Sequence, residues 1–207
     1  MTEPTGGTLA RPAADLAQCR AAHARLLETV SGLDEVTLRG PSLLPGWTVG
    51  HVLGHLAGHA DSIVRRMVGV IEDRVVDQYP GGPQARAAEI ERLAALPLDE
   101  LVQAVRGSAD RVDAIFEQVP DDAWERVSRS VSGKLVAASR LPFSRLREVE
   151  VHHTDLGLGH PPSAWPPVIA ERSLPDVLAG LPSRTDPGAL LAWALGRGPA
   201  PELQPWN

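Results

Sequence analysis

Between Thr48 and Ile71 the apolar residues Val52, Leu56, Ile63, Met67 and Val70 recur at intervals of three, four and seven. That period lines them along one stripe of a long α-helix, with Thr48 as its natural N-cap. A one-sided helix of this length must lay its stripe against other elements, so the rest of the chain is expected to supply partners of the same kind. It does. Roughly Pro12 to Gly32 reads as a helix with Leu16, Cys19, Ala22, His23, Leu26, Leu27 and Val30 at helical spacing, ended by Gly32. Gln84 to Ala95 and Leu98 to Gln118 read as helical, the latter opened by Pro97 and Asp99 and buried through Leu101, Val105, Val112, Ile115 and Phe116. A further helix starting near Pro142 or Ser144 carries Glu148. Prolines and glycines at Gly40, Pro41, Pro45, Gly46 and in Tyr79-Pro80-Gly81-Gly82-Pro83 break the chain between these runs. Residues 120–142 read as irregular, with short extended pieces around Val127 to Val136.

Four long amphipathic helices within the first 160 residues, with longer connections after the second and third, predict a mainly α fold built on a four-helix bundle. From Pro161 onward the character changes: Pro161, Pro162, Pro166, Pro167, Pro175, Pro182 and Pro187 punctuate short helical pieces, including Gly188 to Leu195. The expected organisation is a bundle over 1–160 and a small, shortened C-terminal appendage over 161–207.

At 207 residues the chain can bury a real core without staples, and its one cysteine, Cys19, excludes an internal disulfide framework or a cysteine-rich zinc site. Any bound metal would take nitrogen and oxygen ligands. Acidic residues outnumber basic ones by 26 to 20, and no block of Lys and Arg occurs, which argues against nucleic acid as a partner. Neither a signal peptide nor a membrane span is legible, so a soluble cytoplasmic protein is expected. Abundant alanine and the excess of arginine over lysine hint at a GC-rich genome. No Gly-x-Ser-x-Gly elbow or phosphate-binding glycine loop occurs, which argues against serine hydrolase or nucleotide chemistry.

Five of the seven histidines fall in two clusters, His51, His55 and His59 in one and His152 and His153 in the other. Glu148 and His152 are four residues apart, offset by only about 40° around a helix, and can grip one ion together. His55 from the second helix with Glu148 and His152 from the fourth would give an N, N, O set for zinc or a related divalent metal, with coordination left open for catalysis. A Glu and a His at this spacing also arise by chance, and histidine-rich stripes are often solvated. His51 and His59 read as supporting or surface residues. His153 lies about 140° from Glu148 and should point away. Asp155 is expected to end the helix or contact His153, and Cys19 to pack in the core.

Two segments carry a resemblance: Leu44–Leu56, reading LPGWTVGHVLGHL, and Arg145–Gly157, reading RLREVEVHHTDLG. They resemble the mycothiol-dependent maleylpyruvate isomerase family, within the DinB-like superfamily of metal-binding four-helix bundles. Weaker matches come from Tyr79 with Arg86 and Ile90, from Trp165 and from Leu191 to Arg197. The resemblance implies zinc on His55, Glu148 and His152, and mycothiol, a thiol of actinobacteria, as cosubstrate. It implies an isomerase of maleylpyruvate-like unsaturated dicarboxylic acids in aromatic-compound degradation, working by metal-activated thiolate addition and elimination. Arg197 matches the arginine of the family's C-terminal Gly-Arg motif, and Arg86 is a second candidate for holding substrate carboxylates; for either, a surface ion pair is the alternative. The family's second α/β domain is longer than the region available here. A mycothiol S-transferase conjugating electrophiles, or a non-enzymatic metal-binding stress or interaction module, is also compatible. Bundles of this superfamily often dimerise, so a homodimer is one expected assembly.

Overall fold

The computed structural model describes residues 11–204. Eight α-helices follow in order: α1 (Ala13–Ser31), α2 (Glu35–Arg39), α3 (Val49–Ile71), α4 (Gly82–Ala94), α5 (Leu98–Gln118), α6 (Leu141–Asp155), α7 (Pro167–Gly180) and α8 (Pro187–Ala194). The described sheet has two strands, β1 (Val127–Arg129) and β2 (Leu135–Ala137), paired antiparallel with Ser128 opposite Val136. No helix among the described residues is long and apolar enough to cross a membrane.

Helices α1, α3, α5 and α6 form the bundle, α3 packing on α5 and α6 while α1 closes the ring against the same two. Their stripes meet in a core of Leu26, Leu53, Leu56, Ile63, Met67, Leu101, Val112, Leu146 and Val149, all essentially without solvent contact. The short hairpin packs on α3, and the extended pieces expected around Val127 to Val136 are its two strands.

Local chemistry sets the helix ends. Thr48 caps α3 by accepting from the His51 amide at 3.3 Å, and the Thr48 amide donates back to His51 Nδ1 at 3.2 Å, a reciprocal box closed by an imidazole. Pro142 stands in the first turn of α6, where its missing N–H costs no hydrogen bond. The five-residue α2, absent from the helical periodicity, is capped by Asp34, which accepts from the Thr37 amide at 2.7 Å. It is too short for an apolar stripe to announce it.

Helix α4 packs closely on α3 because glycines stand at the contact. A Cβ on Gly54 would lie 3.0 Å from Leu93 Cβ and 3.1 Å from the Ile90 carbonyl oxygen, and one on Gly50 would lie 3.4 Å from the Ala94 carbonyl. This approach carries Arg86 of α4 to the upper turns of α3.

The chain divides into two compact units, up to Ser163 and from Ala164 onward. In the second, α7 tolerates an internal proline, Pro175, and Asp186 caps α8 by accepting from the Ala189 amide at 2.7 Å. Arg184 donates through Nη2 to the Gln204 carbonyl at 2.8 Å, which ties the end of the described chain to the start of α8.

Candidate metal centre

Where α3 faces α6, three side chains converge. His55 Nε2 lies 3.3 Å from Glu148 Oε2, and His152 Nε2 lies 3.5 Å from the same oxygen. The two imidazoles meet edge to face, centroids 4.5 Å apart at 86°, and one ligand atom from each of the three residues lies within 4.8 Å of the others. A tetrahedral ion with bonds of about 2.0–2.1 Å holds its donors about 3.3 Å apart, so this N, N, O set fits a zinc-like ion. The site is sheltered without being closed: side-chain exposure is 5% for His55, 23% for Glu148 and 20% for His152.

The proton positions suit ligation at His152. Its Nδ1 donates to Asp155 Oδ2 at 2.8 Å, which makes Nε2, facing Glu148, the nitrogen left for a metal once its proton is displaced. Burial works against a charged His152, but the carboxylates of Asp155 and Glu148 outweigh it and push its pKa up to about 9. For His55 burial wins, and its pKa is lowered despite the Glu148 hydrogen bond. Packing around Glu148 opposes its charge, yet the facing imidazoles of His59, His152 and His55 hold its carboxyl well below the usual range. The centre is thus an ionised carboxylate between a neutral and a proton-holding imidazole.

Behind it lies Arg145, fully buried. Its Nε donates to His23 Nε2 at 3.0 Å, its Nη1 donates to the Leu56 carbonyl at 2.8 Å, and His59 Nδ1 lies 3.3 Å from the same nitrogen. His23 Nδ1 in turn donates to Asp113 at 3.0 Å, so one polar chain ties all four bundle helices. Cys19, His23 and Asp113 also bring donor atoms within 4.8 Å of one another. Metal is not their natural occupant: both His23 nitrogens are engaged, and burial pushes the Cys19 thiol up to about 12. Sequence reasoning missed this network. Its signal was a charge in the α6 core stripe, since Arg145 stands between Leu141 and Val149, one turn from each.

The remaining histidines separate as their helical positions dictate. His51 closes the α3 cap and reaches Glu91 at 3.3 Å; His59 is buried against Arg145. His153 turns away from Glu148, within 2.8 Å of Thr29 Oγ1, and stacks on His160 at 3.9 Å. Glu150, buried beside it, is held by Arg25 and by His160 Nε2 at 2.7 Å. Asp155 was expected to end its helix or to contact His153: it is the last residue of α6, and its carboxylate supports His152 rather than His153, because residues three apart share a helix face and residues two apart do not. Arg86 has no carboxylate within salt-bridge distance among the described residues; its Nη2 donates to His55 Nδ1 at 3.2 Å, and the guanidinium lies 5.7 Å from the centre of the Tyr79 ring. Arg197 is exposed in the second unit, where its Nη1 donates to the Leu195 carbonyl at 3.2 Å.

Fold and cluster together define a DinB-like helix bundle with a His, Glu, His constellation between two of its helices. Residues 19–157 match the family described as the mycothiol maleylpyruvate isomerase N-terminal domain, and the chain belongs to that family. The crystal structure of the mycothiol-dependent maleylpyruvate isomerase is similar, with a TM-score of 0.74, 28% identity and 77% of this chain covered. This chain spans 66% of that protein's length. A histidine-to-alanine mutant of the isomerase gives the same values. YfiT from Bacillus subtilis, described as a probable metal-dependent hydrolase with an unusual four-helix bundle topology, shares the fold, with a TM-score of 0.58 at 15% identity over 76% of this chain and 91% of its own. No curated protein sequence matches.

Proposed function

We propose that the protein is a metal-dependent, mycothiol-using cis-trans isomerase of small unsaturated dicarboxylic acids of the maleylpyruvate type. The observation that carries this reading is the convergence of His55, Glu148 and His152 on one point, with Asp155 behind His152, in a chain of this family. A bound zinc or similar divalent ion would supply the positive charge that makes a thiol acidic near neutral pH.

The protein's own groups do the rest. His55 and His152 would each present Nε2 to the ion by giving up the proton that faces Glu148, Glu148 would offer charge, and Asp155 fixes the His152 ring so that its Nε2 faces inward. Trp47, whose ring centre lies 6.0 Å from that of His55 in an edge-on contact, limits the freedom of the second imidazole. Addition of the thiolate to a double bond conjugated with a carbonyl leaves a single bond free to rotate, and elimination then returns the trans acid and the thiol. Arg86 is proposed to hold a substrate carboxylate beside His55, with Arg197 a second candidate from the C-terminal unit.

Metal analysis of the purified protein, then titration with mycothiol and incubation with maleylpyruvate, tests this. Formation of the trans isomer with total thiol unchanged is the expected result. Stoichiometric loss of thiol to an adduct would make the protein an S-transferase, and a protein that takes up no transition metal after reconstitution would overturn both enzyme readings.

A further inference from the structure

A pocket of about 160 Å³ opens beside His55, walled by His59, Tyr79, Ile90 and four charged residues, Asp61, Arg65, Arg86 and Glu89. Two acids against two bases would leave such a pocket neutral, but their pairing is unequal. Asp61 is taken by Arg111 at 2.7 Å, and Glu89 by Arg92 at 2.6 Å; neither of those arginines lines the pocket. Among the described residues Arg65 and Arg86 have no carboxylate within 4 Å: Arg65 donates to the Gln78 carbonyl at 2.8 Å, and Arg86 rests on His55 Nδ1 and the Tyr79 face. The pocket therefore faces its contents with two guanidinium groups that no carboxylate among the described residues pairs with inside 4 Å, in a protein of net charge -6. Burial keeps His59 neutral, so it adds no third charge.

We infer that Arg65 and Arg86 form a two-guanidinium clamp that selects a compact dianion, a small dicarboxylic acid, and seats it beside His55. Guanidinium forks match carboxylates bidentately, and two of them reward a ligand with two acid groups over one with a single group. The volume sets an upper size as well. It lies below the roughly 300–1,000 Å³ of sites that accept drug-sized molecules, which suits a small acid. Arg65 thereby becomes a specificity residue, and the recognition of both acid groups falls within the helix bundle. The inference rests on the isomerase reading above for the identity of the acid, and its own content is the assignment of Arg65 as the second guanidinium that recognises it.

Isothermal titration of the metal-loaded protein with maleate and with isocrotonate, its cis one-carboxylate counterpart, at one ionic strength tests it. Maleate is expected to bind at least about tenfold more tightly. Arg65→Gln and Arg86→Gln should each bring maleate to the level of isocrotonate, Arg65→Lys should fall between, and Arg74→Gln, which removes an exposed cation away from this pocket, should keep the preference. Equal affinities in the unaltered protein, or a preference that survives Arg65→Gln, would overturn the clamp. If metal and mycothiol bind but maleate is not preferred, the clamp alone falls. If maleate is preferred and neither metal nor thiol binds, the clamp stands and the isomerase reading falls.

Discussion

Asp155 shows what a single carboxylate does when it sits one turn beyond a ligand. By holding His152 Nδ1 at 2.8 Å it selects the tautomer that presents Nε2 inward. Asp155→Asn should therefore weaken metal binding by about 10–100-fold without removing a ligand, measured by competition with a chromogenic chelator. His55→Ala should abolish binding in the same assay, whereas His153→Ala should leave it nearly intact; equal loss in both would show that the wrong face of α6 had been chosen. The proton on His152 gives an independent check. With its pKa at about 9, His152 carries a proton at pH 7 that metal must displace, so uptake at pH 7 should release close to one proton per ion. Titration calorimetry in buffers of different ionisation enthalpy reads that number directly. Glu148 and His152 were legible because a four-residue spacing is a property of one helix. The Asp155 contact was legible by the same geometry and was assigned to the neighbouring imidazole instead.

At the scale of elements, the contact between α3 and α4 decides whether Arg86 reaches the site. Of its two glycines Gly54 is the tight one, where a Cβ would crowd Leu93 and the Ile90 carbonyl, whereas a Cβ on Gly50 would make ordinary contacts. Gly54→Val should push α4 away, cost about 1–3 kcal/mol in chemical denaturation and weaken maleate binding together. Arg145 ties the other elements. Its removal strands His23 and the Leu56 carbonyl in the core, and Arg145→Ala should cost about 3 kcal/mol by the same measurement. The long helices were readable from period alone, α5 to its terminal residues, because each buries one continuous stripe. Helix α2 was not readable, being held by a cap and by packing of Leu38 rather than by any repeat. For Arg86 a surface ion pair stayed open beside the role of holding a substrate carboxylate for a related reason: which face of α4 meets α3 depends on glycines in a different helix.

For the whole molecule, the buried imidazoles make stability depend on pH. Burial lowers His23, His55 and His59 from their ordinary values and takes His153 down to about 4. The unfolded chain binds protons on these groups near pH 6.5 and the folded chain does not, so their stabilisation is present above that value and lost as pH falls toward 4. Glu148, held low in the fold, acts in the same direction, its share being lost as pH falls through the carboxylate range. His152 opposes them, its contribution being present below about 6.5 and lost as pH rises through about 9. Four imidazoles and Glu148 against His152 predict a lower urea midpoint at pH 5 than at pH 7.5 for the metal-free protein, followed by far-UV circular dichroism. An unchanged midpoint would mean that these imidazoles are not held neutral.

The sequence alone determined the long helices, the bundle class, the family motifs and the half-site of Glu148 and His152, since all of these are written in periods and spacings along one segment. Tertiary structure decided what depends on two segments meeting: the 3.3 Å approach of His55 to Glu148, the buried chain from Asp113 through His23 to Arg145, and the pairing that leaves Arg65 and Arg86 unopposed in one pocket. The division is physical. A helix repeats every 3.6 residues whatever it packs against, but which charges are neutralised depends on which neighbours fall within a few ångströms, and the fold alone sets that.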